Sequence, residues 1–488
     1  MSADRTVDID PFIAGRTRRR DLRLEVANPA DPEDRVGSVG ISSPKDADWA
    51  VQVADAARPQ WSKRSVSERA ELLEGSAQRL DEQSSVLAAL LSREHGKTPR
   101  EAAAEIAGAV QILRWHSEQA AALEPVVVHG DSGRMVTRRV PVGVVAVIVP
   151  WNYPVLLAQL MVAPALLAGN CVVVKLPDHS PLALSRVLHW LASALPDGVL
   201  NVIAGEGSSV GAALTTHRLV RKVAFTGSTP TGRAIMRAAS DTLKGLSLEL
   251  GGNDAAVVLE DARLDGDLVA ELVKGTLACA GQVCYAPKRL YVHRRHRALF
   301  VDAFVEEADE VVVGDGRDPA VTMGPLNNAA QRDRVRELLR DAVQRGAQVL
   351  PLGRASAVRN ENGLFVQPHL VVETDPGSRL MQEEQFGPLV PVYFFDDEDE
   401  AVELANATEY GLAASVWSED VDRAFEIAGR IEAGTVFVNI HRVGASSVAM
   451  PFGGFKQSGI GRGHGIEGIH EYTELQVLAE RQDMRSAT

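Results

Sequence analysis

The chain has 488 residues, of which 45% are apolar and 24% are charged, the balance of a globular protein with large cores. Lysine and arginine number 51 and acidic residues 65, and the net charge of −14 argues against nucleic acid or an anionic membrane as a partner. Three cysteines are too few for a disulfide framework, and none has the spacing of a metal site. Residues 1–11 lack the apolar core of a signal peptide, so we expect a cytoplasmic protein that holds no metal.

The first part of the chain predicts helices that are followed by a β-hairpin. Helical periodicity spans residues 47–60, 66–95 and 99–122. From 125 to 140, apolar and polar residues alternate on both sides of the turn Gly130-Asp131-Ser132-Gly133, a pattern typical of a hairpin.

The stretch from Val140 to Val174 contains no charged residue and is long enough to cross a bilayer. Prolines at 141, 150, 154 and 164 interrupt it, and lipid would leave the polar backbone groups around them without partners. We therefore expect no membrane span but a buried strand over 143–149, a buried helix over 155–167 and a second strand over 171–175.

From residue 143 onward, short apolar runs alternate with helical segments. The runs lie at 144–149, 172–174, 200–203, 222–225, 247–250 and 255–258. Continuous apolar strands separated by helices are typical of a parallel sheet that is covered on both faces, so the fold class is α/β. A second α/β stretch runs from about Leu268 to Val438. The segment 471–480 predicts an isolated strand, which could pair with the hairpin or with another subunit.

Two glycine-rich segments have the form of phosphate-binding loops. Gly227 and Ser228 follow an apolar strand and precede a helix that we expect to open near Thr231, so their backbone amides would face a phosphate. The segment 463–468 has the G-x-G-x-x-G spacing of a dinucleotide fingerprint. It follows no strand and has no acidic residue at the required distance, so we interpret it as a chance match.

A third motif leaves a hydrolase open as an alternative. Residues 207–211 fit G-x-S-x-G, the turn that presents the nucleophile of α/β-hydrolases, with Ser209 at its centre. Asp241 and His293 follow in the order that a serine triad requires.

Cys284 and Glu249 point to covalent chemistry of another kind. Glu249 stands at the end of an apolar strand, where an unused carboxylate would be costly. Cys284 follows a glycine-containing turn 35 residues later, since 284 − 249 = 35. A thiol nucleophile with a carboxylate base on an adjoining element suggests an acyl-enzyme mechanism.

With these residues in view, the chain resembles the NAD(P)-dependent aldehyde dehydrogenase superfamily from about Phe12 to Leu478. Seven motifs occur in the family's order. They are P-W-N-Y-P at 150–154, K-L-P-D-H-S-P at 175–181, F-T-G-S at 225–228, E-L-G-G at 249–252, G-Q-V-C at 281–284, E-E-Q-F-G-P at 383–388 and P-F-G-G at 451–454.

The resemblance implies the aldehyde dehydrogenase fold. Residues 1–122 and 142–250 would form a Rossmann-like NAD-binding domain, and 251–457 an α/β catalytic domain. Residues 123–141 and 471–488 would form a small β oligomerisation unit by edge-strand pairing. A homodimer or homotetramer is implied with it.

The resemblance also implies the reaction, which is oxidation of an aldehyde to the carboxylic acid. Cys284 would attack the aldehyde carbon, and the Asn152 amide with the Cys284 N–H would stabilise the oxyanion. Glu249 would activate the water that hydrolyses the thioester. Because relatives that transfer the acyl group to coenzyme A tend to lack this glutamate, its presence favours hydrolysis.

The cofactor residues follow from the same motifs. They are Trp151, Lys175, Asp178, Gly227, Ser228, Glu384 and Phe386. Lys175 and Asp178 would bind the adenosine ribose. The family usually has glutamate where Asp178 stands, and either anion would repel the 2′-phosphate of NADP, so we expect NAD.

The substrate pocket implied by the resemblance is mostly apolar. Its residues are Tyr153, Leu157, Met161, Val283, Tyr285, Arg442 and Phe452. Such a lining suits a bulky apolar or aromatic aldehyde. Arg442 leaves an alternative, a semialdehyde whose carboxylate it would anchor. Met161 replaces a lysine that serves a proton relay in many relatives.

Overall fold

The computed structural model describes residues 6–130, 133–264, 266–357 and 360–480. Asp131 and Ser132 of the expected hairpin turn, and parts of the expected domains at 1–5 and 481–488, lie outside the described residues. The first elements are β1 (Val7–Ile9), β2 (Phe12–Ile13), β3 (Arg16–Thr17), β4 (Arg23–Asn28), β5 (Asp31–Gly40), α1 (Pro44–Trp61), α2 (Val66–Glu82), α3 (Ser84–His95), α4 (Pro99–Ser117), β6 (Val126–Gly130) and β7 (Gly133–Pro141).

Capping residues explain where three of these helices begin. Ser43, Ser65 and Thr98 each cap a helix, and an acidic residue three positions later closes a capping box. The prediction of one helix over 66–95 is wrong, because the chain leaves the helical conformation at Gln83 (φ −105°, ψ 8°). Two serines follow Gln83, and serine side chains favour helix ends over helix interiors.

The next elements build a doubly wound sheet. They are β8 (Val144–Ile148), α5 (Pro154–Leu167), β9 (Cys171–Lys175), α6 (Leu182–Ala194), β10 (Leu200–Ile203), α7 (Ala212–Thr216), β11 (Val220–Thr226), α8 (Thr229–Ser240) and β12 (Gly245–Glu249). Strands β12, β11, β8, β9 and β10 are parallel neighbours in that order, and β2 and β3 extend the sheet beyond β10. Every residue of β8, β9 and β10 is buried, as expected for strands covered on both faces.

A second sheet follows in the chain. This part of the chain contains β13 (Asp254–Val258), α9 (Gly266–Leu277), β14 (Pro287–His293), α10 (Arg297–Ala308), β15 (Val312–Val313), α11 (Ala329–Gln344), β16 (Gln348–Pro351), β17 (Arg354–Ala355), β18 (His369–Val372), α12 (Arg379–Gln382), β19 (Leu389–Phe395), α13 (Glu398–Asn406), β20 (Ala413–Trp417), α14 (Val421–Ala428) and β21 (Thr435–Val438). Strands β15 and β17 form a separate two-stranded sheet, and the other strands form the second sheet. The order is β16-β18-β19-β14-β13-β20-β21, parallel except for β16.

The last elements, β22 (Gly459–Ile460), α15 (Gly465–His470) and β23 (Thr473–Ala479), return to the first half of the molecule. Strand β22 pairs with the end of β12, and β23 pairs with β7 of the hairpin. The segment 471–480 therefore joins the hairpin of its own chain. The α/β fold class is as predicted, and the domain limits stay a prediction.

Within the described residues, no helix has the length and apolar character needed to cross a bilayer. The uncharged stretch 140–174 forms β8, α5 and β9 inside the first sheet instead.

Candidate active site

The three residues that the sequence assigned to catalysis lie on elements that meet between the two sheets. Glu249 is the last residue of β12, and Asn152 follows β8 at the same carboxyl edge. Cys284 lies in the segment 278–286, which connects α9 to β14 of the second sheet and is called the cysteine loop below. Ligands bind at the carboxyl ends of strands in α/β sheets of this kind, so the location suits a site.

An unusual backbone shapes the cysteine loop. Cys279, Ala280 and Gly281 have φ values of 50°, 54° and 75°, in the left-handed region. At Gly281 a Cβ would lie 2.4 Å from the carbonyl oxygen of Gly387, so only glycine fits there. These two demands give a physical reason for the glycine of G-Q-V-C.

Buried hydrogen bonds hold this loop in place. The fully buried amide of Gln282 donates from Nε2 to the Cys279 carbonyl at 2.9 Å and accepts the Asn327 N–H at 2.9 Å. Lys288 donates from Nζ to the carbonyls of Val283 at 2.7 Å and Cys284 at 2.5 Å. The nucleophile therefore rests on a rigid segment.

Asn152 contacts the cysteine loop directly. Its Nδ2 donates to the carbonyl oxygen of Gln282 at 3.1 Å, and the residue is 5% exposed. A side-chain amide has two N–H donors, so a second one is available to an oxygen that develops charge near Cys284.

The surroundings of Cys284 keep its thiol protonated in the resting chain. Burial raises the pKa of Cys284 to about 12, although the Lys288 ammonium opposes this shift. Glu384, Asp254 and Glu249 raise it further. Since the thiolate is the nucleophile, attack requires a base or a new positive charge beside the sulfur.

Burial shifts the pKa of the Glu249 carboxyl in the same direction as that of Cys284. Burial raises the pKa of Glu249 to about 8, while the Arg462 guanidinium and the Gly463 amide lower it. On the neighbouring strand, Thr226 is the register partner of Glu249, and its hydroxyl lies 3.9 Å from the sulfur of Met161. A carboxyl group with a pKa near 8 exchanges protons readily at physiological pH.

The residues expected to hold the adenosine and phosphate groups lie along the carboxyl edge of the first sheet. Lys175 ends β9, and its Nζ is 2.6 Å from the carboxylate of Asp178, which is 51% exposed. Helix α8 begins at Thr229, two residues before the expected start, because Ser228 caps it by accepting the Thr231 N–H. The exposed start of this helix fits a pyrophosphate, and the Lys175–Asp178 pair fits ribose hydroxyls.

The residues expected at the nicotinamide end come from both sides of the cleft. Glu384 accepts the Gly252 N–H at 3.1 Å, and its pKa is raised mainly by burial. The ring of Phe386 meets that of Trp151 edge to face, with centroids 5.5 Å apart. Both sheets therefore contribute to this wall.

Apolar side chains that the sequence assigned to the substrate pocket pack together beside the cysteine loop. Tyr153 and Val283 belong to one buried cluster, and the partly buried side chains that pack against it include Leu156, Leu157, Tyr285 and Val443. Phe452 joins it through its ring, whose centroid is 5.5 Å from that of Tyr285. Met161 lies apart from this cluster, on the Thr226 side. Arg442 donates from Nε to the carboxylate of Glu271 at 2.7 Å, so its guanidinium has an acidic partner at the surface.

Comparison with known proteins decides the family. The sequence model of the aldehyde dehydrogenase family matches residues 17–478. The chain belongs to the aldehyde dehydrogenase family. It is 38% identical to a probable succinate-semialdehyde dehydrogenase [NADP(+)] of Sinorhizobium fredii, over 96% of this chain and 94% of that relative.

Solved structures agree with this assignment. An NAD-dependent aldehyde dehydrogenase of Sinorhizobium meliloti superposes with a TM-score of 0.92 at 31% identity, covering 98% of this chain and 95% of that one. Aldehyde dehydrogenase C of Pseudomonas syringae, solved as a variant with NAD+ and octanal, gives 0.91 at 32% identity, with 96% of each chain covered. This aldehyde dehydrogenase therefore oxidises an aldehyde to the acid with NAD or NADP.

The serine triad of the hydrolase alternative is not assembled in this aldehyde dehydrogenase. Ser209 lies in a π-helical turn, and its hydroxyl contacts the Glu206 carbonyl at 3.4 Å. His293 ends β14 in the other sheet, where its ring packs against Phe395. The structure agrees with the interpretation of the G-x-G-x-x-G segment 463–468 as a chance match. Gly463 forms an antiparallel bridge with Phe452 instead of opening a phosphate-binding loop.

Sequence reasoning missed several residues that shape the site, among them Gln282, Lys288 and Arg462. A signal existed for Lys288, which stands next to Arg289 at the start of the buried strand β14, where two adjacent charged side chains are unusual. Gln282 and Arg462 lie inside or beside motifs that were recognised, and only their contacts disclose a role. Among the described residues, no group of three acidic, histidine or cysteine side chains is arranged to hold a metal.

Proposed function

We propose that this aldehyde dehydrogenase uses NAD to oxidise a bulky apolar or aromatic aldehyde through an acyl-enzyme on Cys284. The observation that carries the proposal is the hydrogen bond from the Asn152 amide to the cysteine loop, since it brings an oxyanion donor to the nucleophile. The apolar cluster around Tyr153 and Tyr285 lies next to both.

The first half of the reaction forms the acyl-enzyme. The Cys284 sulfur attacks the aldehyde carbon, and the Asn152 Nδ2–H and the Cys284 N–H stabilise the charge on oxygen. NAD would supply the hydride acceptor that the conversion of the thiohemiacetal into a thioester needs. The residues that would hold NAD are Trp151, Lys175, Asp178, Gly227, Ser228, Glu384 and Phe386. The thiol has to lose its proton for this attack, because burial raises the pKa of Cys284 to about 12.

The second half releases the acid. Glu249 takes a proton from water as the water attacks the thioester carbon. The C–S bond breaks, the acid is released, and the Cys284 thiolate takes up a proton and becomes the resting thiol again. Met161 holds no exchangeable proton and therefore cannot relay the proton that Glu249 takes up.

We expect NAD to be used with a kcat/KM about tenfold or more above that for NADP. The Asp178 carboxylate lies beside Lys175 at the edge where we expect the ribose, and a 2′-phosphate there would meet a like charge. Steady-state kinetics with both cofactors measures the ratio, and Asp178→Asn, which keeps size and removes charge, should narrow it. Asp48→Asn removes a carboxylate elsewhere on the surface and is the control. A wild-type preference for NADP, as in the name of the Sinorhizobium fredii relative, would overturn this assignment.

We expect kcat/KM to rise with the chain length of straight aliphatic aldehydes. Each methylene that enters an apolar pocket contributes about 0.8 kcal/mol, or about fourfold, until the pocket is filled. A series from propanal to decanal, with benzaldehyde beside it, measures this slope. A flat series would contradict the apolar pocket. The octanal bound in the Pseudomonas syringae structure supports such a substrate.

The alternative substrate is a semialdehyde, which the name of the Sinorhizobium fredii relative favours. Arg442 would have to leave Glu271 to anchor its carboxylate. If succinate semialdehyde is the best substrate and Arg442→Gln selectively removes its turnover, the alternative is correct.

The three-stranded sheet that contains the hairpin has two free-standing edges that bear on the oligomeric state. Strands β6 and β23 form the two edges of the sheet that contains the hairpin, and their apolar residues Val126, Val127, Leu475 and Val477 are exposed. Edge strands with exposed apolar residues favour association. We propose a cytoplasmic homodimer or homotetramer that is built through 123–141 and 471–488, with the NAD-binding and catalytic domains divided as the resemblance implies.

A further inference from the structure

A fully buried ion pair lies directly behind the oxyanion donor. Lys97, between α3 and α4, places its Nζ 2.5 Å from the carboxylate of Glu105 on α4, and both side chains are 0% exposed. Removing two charges from water is costly, and an apolar pair of similar volume is often at least as stable. The contacts of this pair therefore matter more than its contribution to stability.

Lys97 uses each of its three N–H donors. One is donated to the Glu105 carboxylate, and a second is donated to the main-chain carbonyl of Asn152 at 2.8 Å. The third side of the ammonium lies over the ring of Tyr153, whose centroid is 3.8 Å from Nζ. Burial lowers the pKa of Lys97, but Glu105, Cys279 and Glu101 together outweigh this effect, so the pKa is raised. The lysine thus remains a cation at physiological pH.

Glu105 is hydrogen-bonded to the residues that follow Asn152 and Tyr153 in the chain. Its second oxygen accepts the N–H groups of Val155 at 2.8 Å and Leu156 at 3.3 Å, at the start of α5. The ion pair therefore holds the turn 152–156 from its first carbonyl to the first amides of the helix.

Helix α4 also reaches the nucleophile's loop. Glu101, one turn before Glu105, accepts the Cys279 N–H at 2.6 Å. One helix thus fixes the turn that carries Asn152 and the loop that carries Cys284. A displacement of about 1 Å between such groups can cost about a hundredfold in rate.

We propose that Lys97 and Glu105 are positioning residues that set the Asn152 amide at the distance from Cys284 where it binds the oxyanion. The inference rests on the oxyanion role proposed above for Asn152. It assigns to a buried ion pair a function in transition-state binding, through a main-chain carbonyl, rather than in folding alone.

The test is a double-mutant cycle between Lys97→Met and Asn152→Ala, measured as the rate constant of the first NADH burst. We expect Lys97→Met to slow the burst by about tenfold to a hundredfold, with the NAD dissociation constant unchanged. Asn152→Ala should slow it by about a hundredfold or more. If Lys97 acts through Asn152, the double variant should be no slower than Asn152→Ala alone.

Two further variants control for the loss of a buried charge, which could slow the burst without any effect on Asn152. Lys97→Met leaves the Glu105 carboxylate buried without its partner, so Lys97→Met/Glu105→Gln is run beside it with both charges removed. Lys244→Met is the control, because Lys244 is also buried, donates to the His217 carbonyl at 2.8 Å and lies at the opposite end of β12 from Glu249.

The outcomes separate the two proposals. Multiplicative effects in the cycle, or equal effects of Lys97→Met and Lys244→Met, would overturn the positioning role while leaving Asn152 as the donor. A normal burst in Asn152→Ala would refute the oxyanion assignment itself, and with it the mechanism proposed above.

Discussion

Cys284→Ala is expected to abolish NADH production while NAD still binds. Without the sulfur, no bond to the aldehyde carbon forms, so the hydride-donating species never arises, and turnover should fall by about four orders of magnitude. Because Cys284 is half-buried in a loop held by other residues, alanine should leave the fold intact. The rate at which NADH absorbance rises, with aldehyde and NAD in excess of the enzyme, measures turnover. Titration of the protein's fluorescence with NAD measures NAD binding.

The other two cysteines are the matched controls for this experiment. Cys171 is fully buried at the start of β9, where it fills the core. Cys279 contributes its backbone N–H to Glu101, a contact that alanine retains. Both alanine variants should keep most of the activity. Residual turnover of even a tenth in Cys284→Ala, a loss of only about 1.4 kcal/mol, would show that another group is the nucleophile.

Among the elements of the fold, the strands of the first sheet agree best with the predictions from the sequence. The expected strand over 171–175 and the run 200–203 coincide with β9 and β10. Both are buried on both faces, so their apolar runs have sharp ends. The break at Gln83 was missed because the apolar period continues across it, and only the backbone conformation separates the helices α2 and α3.

The residues of the candidate site also fall into those that the sequence indicated and those that it did not. Residues inside motifs, such as Glu249 and Cys284, were found because each is chemically out of place in its local sequence. Lys97 gave no such signal, since its partner Asn152 is 55 residues away and a lysine before a helix is ordinary on a surface. The ion pair of Arg442 with Glu271 gave no signal for the same reason, because the two residues are 171 positions apart. Long-range pairing of charges is not encoded in any short window.

Glu249→Gln is expected to separate the two halves of the reaction. Attack and hydride transfer need Cys284, Asn152 and the cofactor, whereas deacylation needs a base that takes a proton from water, and glutamine cannot. The variant should therefore release one burst of NADH per active subunit and then stall. Mass spectrometry of the intact protein should show the acyl group on the Cys284 peptide. Gln matches Glu in size, so the end of β12 and its pairing with β22 should persist.

The pH profile gives an independent control for this variant. Burial raises the pKa of Glu249 to about 8, so the basic carboxylate is the minor form below that pH. Wild-type turnover should then rise about tenfold per pH unit below 8 and level off above it, provided that deacylation limits the rate, and Glu249→Gln should lose this rise. Unchanged turnover in the variant would mean that another group activates the water. Loss of the burst itself would mean that Glu249 acts earlier and takes the proton from Cys284, whose pKa of about 12 requires an acceptor, in a site where Met161 provides none.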